Sequence, residues 1–124
     1  GIISDVGSSW FVPNLIGRAR ANGMGLLGDS ISSEQAKDWG LIWDAVSDEE
    51  LLSKSIEIAE RLANGPIEGL KAIVKAHDNA LSVSLNDQLD YERDTQEILL
   101  DKKEFKEGVS AFVGKRKPNF RDLS

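Results

Sequence analysis

From Leu51 onward, apolar residues recur at helical spacing. Leu51, Leu52, Ile56, Ala59, Leu62 and Ala63 form one stripe, and Asn64-Gly65-Pro66 stops it abruptly. Two further segments repeat the pattern: 67–80 would bury Ile67, Leu70, Ile73, Val74 and Ala76 or Leu81, and 85–100 carries Leu85, Leu89, Ile98 and Leu99. A last helix is expected over 103–115, followed by an extended Lys117-Pro118-Asn119-Phe120. Each stripe needs a covering surface, so this part of the chain can fold only as packed helices.

The first third is more broken. Ser8 or Ser9 is expected to cap a helix running to Ile16, with Pro13 in its first turn. Arg18 to Leu27 follows with Gly28 as its stop, and Ser32 or Ser33 caps a short helix through Trp39 that Gly40 closes. Ile2-Ile3 and Leu41 to Val46 have strand character. Two such pieces cannot make a stable sheet unaided, so a partner must supply the rest. Gly23-Met24-Gly25-Leu26-Leu27-Gly28 is formally G-x-G-x-x-G, but it lies in a helix and its stop, not after a strand, and carries no dinucleotide reading. The expectation is a mainly α chain with residual strands.

At 124 residues, 40% hydrophobic and 29% charged, the chain has a globular composition that should bury a respectable core. No apolar run approaches the roughly 20 residues that cross a bilayer, so no membrane partner is expected. With 21 acidic against 15 basic residues the net charge is −6, which disfavours a nucleic-acid partner. The basic tail of Lys115, Arg116, Lys117 and Arg121 can still hold a small phosphorylated ligand. There is no cysteine, and His77 is the only histidine; no metal site is expected, and the composition agrees with a reducing cytoplasm. The chain starts at Gly1 without a signal-peptide pattern, and a processed product or a piece of a longer chain is expected.

Asp5 is the residue with chemistry to offer. A carboxylate among Ile2, Ile3 and Val6 would have its charged form disfavoured, and such a group can move a proton between carbons. Taken alone, an Asp ahead of a Gly-Ser turn is more often a turn or cap residue. Trp10, Phe11, Trp39 and Trp43 read first as core. Lys115-Arg116-Lys117 reads first as solvated charge at a helix C-terminus. Asp90, Glu92, Arg93 and Asp94 read as a charged helix face.

Gly1-Ile2-Ile3-Ser4-Asp5-Val6-Gly7-Ser8-Ser9-Trp10, the segment Gly28 to Ile42, and the ending Glu107-Gly108-Val109-Ser110-Ala111-Phe112 together resemble the C-terminal half of the crotonase family, the acyl-CoA enoyl hydratases and isomerases. The first segment looks closest to the phenylacetate-pathway isomerase branch, whose members convert a ring-epoxide thioester to an oxepin and shift enoyl double bonds. The resemblance implies a crotonase fold, with 1–46 closing the core and 47–124 forming a helical oligomerisation region. It implies that Asp5 takes and returns the proton, an aspartate here favouring isomerase over hydratase. Trp10 and Phe11 would line the acyl pocket, and Lys115 would reach the nucleotide of CoA, often in a neighbouring subunit. No cofactor is implied beyond the CoA of the thioester substrate, and the partners are copies of the chain, as a trimer or hexamer. Many members carry Pro before the aspartate and Gly-Gly after it, where this chain has Ser4 and Val6-Gly7. A family aromatic near the adenine aligns with Gln96. A lone half is expected to be inactive and to expose apolar faces around Leu85, Leu89, Trp10 and Phe11. The competing expectation is an assembly module without catalysis, which need not bind acyl-CoA.

Overall fold

In a computed structural model that describes residues 1–123, the chain is helical, with seven helices and no strand among the described residues. It divides into two units, Gly1–Leu51 and the part from Leu52 onward. Among the described residues no helix is long and apolar enough to cross a membrane.

The first unit holds α1 (Ser8–Ile16), α2 (Arg18–Leu27), α3 (Ser33–Asp38) and the start of α4 (Asp48–Ala63). Helix α1 differs from expectation at both special residues. Its N-cap is Gly7, with no side-chain cap, and Pro13 lies inside the helix, not in its first turn. Proline has no amide to offer Ser9's carbonyl, so α1 lacks that one helical bond. Helices α1 and α2 pack together over the buried Ile16. Helix α2 stops at Gly28, which sits at φ 73° and donates its amide to the Met24 carbonyl. Ser32 caps α3 by accepting the Gln35 amide at 3.1 Å.

The two strand-like pieces form no ladder. At 41–46 the chain bends instead: the Leu41 amide donates to Ala36, and the Asp44 carboxylate accepts the Ala45 amide at 2.9 Å and pairs with Lys37. With no neighbouring strand among the described residues, local side-chain bonds decide the backbone.

The second unit contains α5 (Ile67–Ala80), α6 (Leu85–Leu100) and α7 (Lys103–Val113). Ser84 caps α6 through the Asp87 amide. Polar bonds tie α5 to α6: the Gln88 amide donates to the Ala76 carbonyl at 3.2 Å and accepts from Asn79 at 3.0 Å. Glu104 accepts the Glu68 amide, so the first turn of α7 satisfies an orphan donor at the start of α5. Helix α7 ends two residues before Lys115, the expected end. The Arg116 amide returns to the Ala111 carbonyl and the Lys115 amide to Phe112, with Lys115 itself left-handed at φ 49°. This is a Schellman ending with lysine where glycine is usual.

The expected core is not there. Among the described residues only Ile16, Ala36 and Ala111 are buried hydrophobics, while Leu52, Val74 and Phe112 are 71%, 62% and 86% exposed. Trp43, expected in the core, is 77% exposed. The accessible area is 10080 Å², whereas two compact bodies of these sizes would expose about 7,900 Å² in total. The excess of about 2,000 Å² is the scale of a large protein–protein interface. The stripes read from the sequence are real, but among the described residues they lie largely uncovered.

Candidate functional site

Asp5 stands at the head of α1 on a tight turn. Its carbonyl accepts both the Ser8 amide at 3.0 Å and the Ser8 hydroxyl at 2.8 Å. The two residues inside this turn, Val6 and Gly7, are left-handed, with φ 52° and 78°. A β-branched residue is rarely found there, because its Cβ crowds the following carbonyl. Val6 occupies the position where the resemblance places glycine, and the geometry shows why glycine suits it. Such strain beside a carboxylate is a feature that sequence reading alone did not single out.

The expected apolar enclosure of Asp5 is not supplied by its sequence neighbours: Ile2, Ile3 and Val6 are 97%, 83% and 94% exposed. Trp10 and Phe11 follow on α1 in an edge-to-face pair, ring centroids 4.9 Å apart and 89° between planes. The Phe11 ring lies against Gly7, where a Cβ would come within 3.0 Å of it, so aromatic pair and turn are built as one piece. Both rings remain about half exposed, an accessible apolar wall and not a closed core. Trp39 is half-buried, with the Arg20 guanidinium 5.2 Å above its ring.

Lys115 belongs to the second unit. Of the run Lys115-Arg116-Lys117, Arg116 is consumed internally. Its guanidinium grips Glu107 with both nitrogens, at 2.6 and 2.8 Å, and Glu107 also accepts the Asn119 amide at 2.7 Å. These partners, Arg116 first and the Asn119 amide second, hold the Glu107 carboxyl down at about 2. The Lys115 ammonium makes no hydrogen bond or ion pair with any described residue. Nearby, Leu99, Leu100, Phe105, Val109, Phe112 and Phe120 line an open cavity of about 430 Å³, with Gln96 also on its wall. Among the described residues no group of three potential metal ligands exists, and His77 is an exposed residue of α5.

The chain thus carries one accessible carboxylate on a strained turn, an aromatic pair beside it, and a free cation beside a pinned tail. Residues 1–123 match the family model described as Enoyl-CoA hydratase/isomerase. The 1,2-epoxyphenylacetyl-CoA isomerase of Escherichia coli is 45% identical over 120 residues, covering 97% of this chain and 46% of that protein. A probable enoyl-CoA hydratase of Rhodobacter capsulatus is 40% identical over 120 residues, covering 47% of its own length. Among solved structures, a putative enoyl-CoA hydratase/isomerase from Mycobacterium abscessus superposes with a TM-score of 0.92 at 32% identity, over 97% of this chain and 46% of that one. The chain spans under half the length of each of these relatives. The helices described above are therefore part of a crotonase fold, and the chain belongs to the enoyl-CoA hydratase/isomerase family.

Proposed function

We propose that this chain carries the acid/base half of an acyl-CoA isomerase site. Asp5 removes a proton from one carbon of an enoyl or related CoA thioester and returns it to another. The thioester carbonyl takes up the intermediate negative charge, stabilised by backbone amides that the rest of the site provides. Trp10 and Phe11 contact the acyl group, and Lys115 meets a phosphate of the CoA nucleotide, a charge-assisted contact. The setting in this reading is the cytoplasm. The observation that carries it is Asp5 held on the strained turn ahead of α1, with Phe11 against that turn and Trp10 packed edge-to-face on Phe11.

A hybrid tests this reading. The 124 residues replace the matching 120-residue segment of the E. coli relative, and turnover of 1,2-epoxyphenylacetyl-CoA is followed. The hybrid is expected to be active, and Asp5→Asn should lower kcat by about 10²- to 10⁴-fold with unchanged helicity. Undiminished turnover by Asp5→Asn would sink the assignment. The 124 residues alone should show no turnover, and measurable activity from them would refute the half-site reading.

A second function is favoured by the uncovered helix faces: assembly. Leu85 and Leu89 on α6 are 73% and 52% exposed, as a chain that joins copies of itself through its helical region requires. Sedimentation should then show concentration-dependent oligomers of trimer or hexamer size, whereas a strict monomer at high micromolar concentration would remove this reading.

A further inference from the structure

The tail after α7 is fixed by more than its Schellman ending. Glu107, in the middle of α7, accepts from both terminal guanidinium nitrogens of Arg116 and from the backbone amide of Asn119. Arg116 also donates to the Ser110 hydroxyl at 3.2 Å and to the Lys117 carbonyl at 3.2 Å. Lys115 is therefore bracketed. Its own amide and that of Arg116 are bonded back to the helix, and the residues after it are tied to Glu107. The backbone at Lys115 stays at φ 49°, a conformation that is costly for a residue with a Cβ and that these bonds support.

The cost of holding lysine there is informative. Glycine would end the helix without strain, yet Gly114 stands one residue earlier, at φ −77°, and the left-handed position falls to Lys115. Arg116, the cation best suited to gripping a phosphate with two donors, is instead saturated by Glu107. What the arrangement leaves free in the basic run, once its middle charge is neutralised, are the ammoniums of Lys115 and Lys117, and of the two only Lys115 stands on the left-handed residue of the helix ending.

We propose that Glu107 and Arg116 form a positioning clamp that aims Lys115 at the phosphate of an acyl-CoA nucleotide. This rests on the reading of Lys115 given above and deepens it: Glu107 touches no substrate, and it acts through the backbone of the tail. Without the clamp the tail sweeps over many orientations, and the lysine loses most of the benefit of being pre-ordered.

The test uses the hybrid enzyme, which contains the full chain, with two substrates: a CoA thioester and the corresponding pantetheine thioester that lacks the nucleotide. Lys115→Ala should raise KM for the CoA thioester about tenfold and leave KM for the pantetheine thioester where it was. Glu107→Gln should raise KM for the CoA thioester several-fold, also without effect on the shorter substrate. The double variant should be no worse than Lys115→Ala alone, since the clamp acts only through the lysine. Glu107→Asp, which keeps the charge, should recover part of the loss. Arg116→Gln should behave as Glu107→Gln does, and it replaces that variant if Glu107→Gln fails to fold. Equal losses on both substrates, or additive losses in the double variant, would overturn the clamp while leaving Lys115 in its role. If Lys115→Ala changes neither substrate, the Lys115 reading itself falls, and the clamp with it.

Discussion

Replacing Val6 by glycine should stabilise the turn that carries Asp5, even though a side chain is removed. Val6 is 94% exposed, so truncation forfeits almost no packing. Its φ of 52° is left-handed, which costs a residue with a Cβ about 1–2 kcal/mol. Glycine removes that penalty but adds freedom to the unfolded chain, worth about 0.4–1 kcal/mol in the opposite direction. The net is about 1 kcal/mol in favour of the turn, or about fivefold in its opening equilibrium. The turn closes through the Ser8 amide on the Asp5 carbonyl, so hydrogen exchange at Ser8 reads it directly. Val6→Gly should slow that exchange about fivefold, and Val6→Ala should not, because alanine keeps the Cβ. Unchanged or faster exchange in Val6→Gly, or equal slowing in Val6→Ala, would refute the claim that Val6 is strained.

Further tests bear on the second unit. Ala111 is 1% exposed, so Ala111→Leu should overpack its surroundings and lower the urea stability by roughly 1–3 kcal/mol; an unaltered midpoint would mean the site has room. Glu107 sits at about 2 in the folded chain against 4.5 ordinarily, so its contribution is present above about 4.5 and is lost as pH falls toward about 2. Glu107→Gln should remove that part of the acid-induced loss of tail order, measured as exchange at the Asn119 amide between these pH values. Identical acid profiles for Glu107→Gln and the parent chain would refute the hold of Glu107 on the tail.

Much of the helical layout was legible. Gly28 and Asn64-Gly65-Pro66 stop helices where local chemistry says they must, and Ser32, one of the two serines expected there, caps α3, because these effects act within one turn of the chain. The stripes along α4, α5 and α6 were legible too, since 3.6-residue spacing needs no knowledge of partners. Their burial was not, because burial depends on surfaces elsewhere. The Leu41 to Val46 segment has strand character yet bends, since a strand exists only where a neighbour offers a ladder.

The site divides along the same line. Sequence alone determined that a carboxylate precedes a Gly-Ser turn and that two aromatics follow it, and the resemblance carried by those residues indicated the family. Only the tertiary structure decided that Val6 is left-handed, that Arg116 closes on Glu107 across nine residues, and that the Lys115 ammonium is left free of that pairing. Backbone conformation and ion pairing depend on which groups meet in space, and a linear pattern of side chains does not specify that.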